Sequence, residues 1–169
     1  VVVAVDVSAE RLALVALHGA ALTLAADRLS FKEVRDAIRA LAAERGIPTW
    51  RHRIFETSGT TKGQATAFGL LGHGSYLGVV GFTPEKLELR LSNLMAFDAT
   101  AQGTWGCLPS HYPAIVDLVA AGRVALTPFL EKRPLSSINQ TFADLRLPDA
   151  QGRPTPLIEE GTAVEAVFG

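Results

Sequence analysis

The sequence predicts an α/β fold built on a parallel sheet, and three observations carry that prediction. Strand-like apolar runs alternate with glycine-stopped helical runs from Val1 to Val80, giving the order β-α-β-α-β-α-β. The opening run, Val1 to Asp6, ends in an acid and has no glycine-rich loop before it, as expected of the second strand of a nucleotide-binding sheet lacking its first strand and glycine-rich loop. The balance of 48% apolar and 20% charged residues over 169 positions is that of a chain that buries a core.

Each element has its own signal. After the first strand, Leu12, Val15 and Ala16 predict a short helix stopped at His18-Gly19, and Leu22 to Ala25 a second strand. Ser30 and Glu33 form a capping-box pair opening a helix that buries Phe31, Val34, Ile38 and Leu41. Gly46 and Pro48 end it, and Arg53 to Thr57 is the third strand. A helix from about Lys62 runs to Gly72, and Tyr76 to Val80 is a buried strand ending at Gly81. Leu87, Leu89 and Leu91 alternate as a half-exposed strand, whereas Ala99 to Cys107 is ambiguous. A helix from Pro113 closes at Gly122, Leu126 to Phe129 reads as a strand, and Leu135 leads a helix with Ile138, Phe142 and Leu145 on one face. Residues 1–147 read as one domain and 148–169 as a tail, with Thr155 to Ile158 able to add an edge strand.

Charge and cysteine content narrow the function. Sixteen basic and 17 acidic residues leave a net charge of -1 with no basic stripe, so nucleic acid is not the expected partner. Cys107 is the single cysteine, so no intrachain disulfide forms and a cytoplasmic location is expected. The opening apolar run is far shorter than the roughly 20 residues of a membrane span. No membrane partner is expected.

Asp6 is the leading binding candidate, because a carboxylate at the end of such a strand can accept both hydroxyl hydrogens of an adenosine ribose. An acid there favours an unphosphorylated 2′-hydroxyl, hence NAD over NADP. Arg11, at the start of the following helix, can lie beside the same adenosine, although an exposed helical arginine also accounts for it. Thr57 to Gly63 joins a strand to a helix, so its free amides can face adenine, ribose or phosphate; a simple capped turn is the alternative. His18, His52, His73 and His111 are scattered without metal-ligand spacing, so no metal site is expected from this chain. No catalytic residue stands out.

Four stretches in order, VVVAVDVSAERLALVALHGA (1–20), IFETSGT (54–60), ATAFGLLGHGSYLGVVG (65–81) and PLSSINQTFADL (134–145), resemble the Rossmann-like coenzyme domain of the zinc-type alcohol dehydrogenases, the medium-chain dehydrogenase/reductase family. Residues 89–119 are most similar to the 6-hydroxycyclohex-1-ene-1-carbonyl-CoA dehydrogenases. The resemblance implies hydride transfer from a secondary alcohol, in that subfamily an alicyclic coenzyme A thioester, to NAD. It implies that Asp6 and Arg11 meet the adenosine ribose and that Thr57, Ser58 and Gly59 border the adenine. It places Val80, Gly81 and Phe82 beneath the nicotinamide and Thr104 and Trp105 at its carboxamide. Arg153 resembles an arginine that reaches the pyrophosphate, though Pro154 and Pro156 depart from the usual strand there.

The resemblance also implies zinc bound outside this chain, and self-association through the segment from Ala99 to Cys107. Absence of the central first strand would leave two unpaired apolar edges and an inactive fragment of weak stability. Two other readings share parts of the pattern. An S-adenosylmethionine-dependent methyltransferase also binds ribose after such a strand, and a non-catalytic interaction module could pair through an exposed edge.

Overall fold

The computed structural model describes residues 1–145, 155–160 and 163–164. Its contacts divide the chain into two compact units, Val1–Cys107 and Leu108–Gly169, a different division from the one the sequence pattern draws after residue 147.

In the first unit the order is β1 (Val3–Asp6), α1 (Ala9–Leu17), β2 (Leu22–Ala25), α2 (Phe31–Glu44), β3 (Arg53–Glu56), α3 (Thr61–Gly69), β4 (Tyr76–Val79), α4 (Ser92–Ala96) and β5 (Thr100–Gly103). All pairings are parallel, so every strand ends on the same edge of its sheet. There are two sheets rather than one: β1 pairs β2, with Asp6 opposite Ala25, and β3-β4-β5 forms the other. No described strand pairs the open side of β1 or of β3, and Val5 (37% exposed) and Phe55 (65%) stand on these strands uncovered. This is the Rossmann-like parallel arrangement divided where a central strand would join it.

Local chemistry starts the helices where the sequence places them. Ser8 Oγ accepts the Arg11 amide of α1 at 3.2 Å. The capping box of α2 is complete, with Ser30 Oγ accepting from Glu33 N and Glu33 accepting from Ser30 N. Thr60 Oγ1 accepts the Gly63 amide of α3 at 3.0 Å. The main core is Ala67, Phe68, Leu71 and Leu77, with Ile54, Val79, Leu89, Leu94, Phe97 and Ala99 packed on it. On α2 only Val34 and Ala42 are fully buried, and Phe31 is 40% exposed.

Two expected strands are absent. Leu87 and Leu89 are half-buried and Glu88 and Arg90 exposed, so the alternation is real, but the segment has no ladder partner. Leu89 joins the core instead, and α4 begins at Ser92. Leu126 to Phe129 is not a strand either: Thr127–Phe129 is a 3-10 turn. Pro128 has a fixed φ and no N–H for a ladder, so pairing begins only at Leu130.

The second unit contains α5 (Tyr112–Ala120), β6 (Leu130–Pro134), α6 (Ile138–Leu145), β7 (Thr155–Glu160) and β8 (Ala163–Val164). β7 runs parallel to β6 and antiparallel to β8, which puts it between them. Arg133 on β6 donates to Asp144 of α6 at 2.7 Å and to Glu131 at 3.0 Å. The Asp144 bond first, and then Glu131, raise the arginine pKa above its already high ordinary value.

Candidate cofactor-binding site

Every described candidate residue lies at or beyond the C-terminal end of a parallel strand, where open α/β sheets bind ligands. Asp6 ends β1, and its Oδ1 accepts from the Ser8 amide and from Arg11 Nη2, both at 2.8 Å. Oδ2 has no partner among the described residues. The Ser8 cap sets the direction of α1, so that Arg11 in the first turn reaches back over the strand end. Arg11 Nε is buried and also without a described partner. The strand end therefore presents a carboxylate oxygen and a guanidinium side by side.

A lysine links this corner to the second sheet. Ala26 N donates to the Asp6 carbonyl at 2.9 Å, and Lys62 Nζ donates to the Ala26 carbonyl at 3.1 Å. Sequence reading passed over Lys62. Its signal was a cation in the first turn of a helix, where the dipole disfavours positive charge and a partner is expected.

The loops after β3 and β4 are pressed together. Gly59 has φ +62°, and a Cβ built on it would lie 2.5 Å from the Phe82 carbonyl oxygen. A Cβ on Gly81 would collide with the backbone of Gly59. Gln64 Nε2, also missed by sequence reading, donates to the Gly81 carbonyl at 3.2 Å. Only glycine at 59 and 81 permits this contact, which makes a side-chain-free floor. Val80 (50% exposed) and Phe82 (74%) flank it. Thr104 N donates to the Val79 carbonyl at 3.0 Å, which brings the end of β5 alongside, and Trp105 is 96% exposed.

Thr57 and Ser58 are exposed, and three amides of the segment from Thr57 to Gly63 are engaged within it. Ser58 N donates to Glu56 Oε1, Thr60 N to Ser58 Oγ and Gly63 N to Thr60 Oγ1. Arg153 lies outside the described residues. Among those residues no group of three or more His, Cys, Asp or Glu could hold a metal ion. Nor is any described helix long and apolar enough to cross a membrane.

A family profile described as zinc-binding dehydrogenase matches residues 1–121. The chain belongs to the zinc-binding dehydrogenase family. No curated protein sequence matches it significantly. Solved structures do. An alcohol dehydrogenase from Thermotoga maritima is 22% identical with a TM-score of 0.79, over 94% of this chain and 43% of its own. A short chain alcohol dehydrogenase from Escherichia coli CFT073 complexed with NADH is 15% identical at a TM-score of 0.68, over 89% and 42%. A zinc-binding dehydrogenase from Sinorhizobium meliloti bound to NADP is 19% identical at 0.73, over 92% and 44%. This zinc-binding dehydrogenase chain spans less than half the length of the structures it matches. The profile covers the corner at Asp6, the glycine floor and the end of β5.

Proposed function

We propose that this chain forms part of the coenzyme domain of an NAD-dependent zinc-type alcohol dehydrogenase, oxidising a secondary alcohol by hydride transfer. One observation carries the choice of cofactor: Asp6 ends β1 with Oδ2 open while Arg11 engages Oδ1. A ribose with a free 2′-hydroxyl can donate to that oxygen, whereas a 2′-phosphate would bring like charge against it. Thr57, Ser58 and Gly59 then border the adenine, and Val80, Gly81, Phe82, Thr104 and Trp105 the nicotinamide end. Arg153 is assigned to the pyrophosphate on resemblance alone. NAD, when bound, supplies the hydride acceptor; the residues of this chain bind and orient it. Zinc is assigned to residues outside this chain, and no step is drawn through it.

The finer substrate, an alicyclic alcohol carried as a coenzyme A thioester, rests on the resemblance of residues 89–119. Self-association through the exposed strand β5 and a cytoplasmic location belong to the same reading. The test is calorimetric titration of the 169-residue chain with NAD and with NADP. The reading expects NAD affinity in the micromolar range or weaker, and NADP weaker again by about tenfold, one unfavourable charge contact. Equal or tighter NADP binding would overturn the assignment of Asp6.

A further inference from the structure

Glu56, the last residue of β3, is 4% exposed. A buried carboxylate is costly unless its oxygens are hydrogen-bonded, so the surroundings of each oxygen are informative. Oε1 accepts from the Ser58 amide at 2.8 Å and the Ser58 hydroxyl at 2.5 Å. The main-chain carbonyl of the same residue accepts from the amides of Val80 at 2.8 Å and Gly81 at 3.0 Å. Oε2 is buried, has no partner among the described residues and lies 2.7 Å from where a Cβ on Gly81 would sit. One residue thus holds the loop after β3 with its side chain and the loop after β4 with its main-chain carbonyl, while Oε2 lies unpartnered beside Gly81 among the described residues.

We propose that Glu56 is a positioning residue for the cofactor, locking loop 57–60 onto loop 80–82 so that the Gly59 and Gly81 floor keeps its shape. The proposal rests on the cofactor reading of these loops. A floor made of backbone has no side chain that can adjust to a ligand, so its shape depends on what holds its amides. Ser58 is held by the carboxylate, and Gly81 is held on its N–H by the main-chain carbonyl of residue 56, which every side-chain variant keeps, and on its own carbonyl by Gln64. Glu56 is not a member of the apolar cluster of Ala67, Phe68, Leu71 and Leu77. Its carboxylate bonds only to Ser58 among the described residues, so its loss acts first on the loop after β3. Aspartate is one methylene short of Ser58, and glutamine places an amide nitrogen at one of two positions now held by oxygen.

The test compares the 169-residue chain with Glu56→Gln, Glu56→Asp and Ser58→Ala, the last removing the hydroxyl that donates to Oε1 and also bonds Thr60 within the same loop. Amide hydrogen exchange is read across residues 57–60 and 80–82, and NAD is titrated by calorimetry. The expected result is exchange about tenfold faster in both loops of the Glu56 variants, the scale of one charge-assisted hydrogen bond, with α3 and β4 protected as before. Ser58→Ala speeds exchange at 80–82 although residue 58 lies in the other loop, a response that a purely local role would not produce. NAD affinity falls with the same ranking. Unchanged exchange at 80–82 in both Glu56→Gln and Ser58→Ala overturns the coupling. If the Glu56 variants do not fold, Ser58→Ala alone decides it by that readout. Absence of NAD binding in the parent counts against the cofactor reading, while the exchange data still decide whether Glu56 couples the loops.

Discussion

Arg11 Nη2 donates to Asp6 Oδ1 at 2.8 Å, leaving Oδ2 of the same carboxylate without a described partner. The pair is partly exposed, with side chains 40% and 29% accessible, and such pairs contribute about 0–1 kcal/mol to stability. In the function proposed above its value lies in binding the cofactor. Asp6→Ala is expected to weaken NAD binding about 10- to 100-fold, the loss of hydrogen bonds to a charged acceptor. Arg11→Ala should change the unfolding free energy by less than about 1 kcal/mol. Calorimetric titration and urea unfolding separate the two, and an Asp6 variant with parental NAD affinity would remove the residue from the site.

The contact of Gly59 with Phe82 makes a second prediction. Gly59→Ala forces a side chain into φ +62° and onto the Phe82 carbonyl, so stability should fall by about 2 kcal/mol or more. Gly19, whose φ is +100° but whose Cβ would meet nothing within 4 Å, should lose less on the same change, about 1 kcal/mol. Urea midpoints for the two variants give the comparison; equal losses would mean that backbone strain, not the loop contact, dominates.

A third prediction concerns pH. Bonds from the Ser30 side chain, and then from its amide, hold the Glu33 carboxyl below its ordinary pKa. A depressed folded-state pKa means that this contribution is fully present above the ordinary glutamate value, about 4.3, and is lost as pH falls through the folded value. Glu33→Gln should flatten the stability curve in that acid range and leave its slope near neutrality unchanged. Ser30→Ala should cost about 1 kcal/mol at neutral pH, as other N-cap losses do. Urea unfolding at a series of pH values checks both.

The fourth concerns the edge of the second sheet. Strand β5 is exposed at all four positions, and Trp105 beyond it is 96% exposed. If the chain self-associates there, Trp105→Asp should shift the mass measured by light scattering to that of a single chain. An unchanged oligomer would exclude this edge as the interface.

Much of this was legible in the residues themselves. The alternation of short apolar runs with capped helices fixed the element order through Val79, because caps such as Ser8, Ser30 and Thr60 act within one helical turn. Asp6 could be singled out because a strand end followed by a capped helix places its carboxylate by local geometry alone. Leu87 to Leu91 misled because alternation reports burial on one face and not the presence of a ladder partner. Leu126 to Phe129 misled because apolar content was given more weight than Pro128. The partners of Glu56, Lys62 and Gln64 were out of reach, although Lys62 carried a signal that it had one. Their roles depend on Ser58, Ala26 and Gly81, which the parallel pairing of β3 with β4 and the packing of α3 bring close in space. What the sequence determined by itself was therefore the order of elements through Val79, their parallel arrangement and the acid at the end of the first strand, all products of short-range chemistry. What only the tertiary structure decided was which backbone groups meet across the loops, since contacts between distant segments depend on register and close packing that no local pattern encodes.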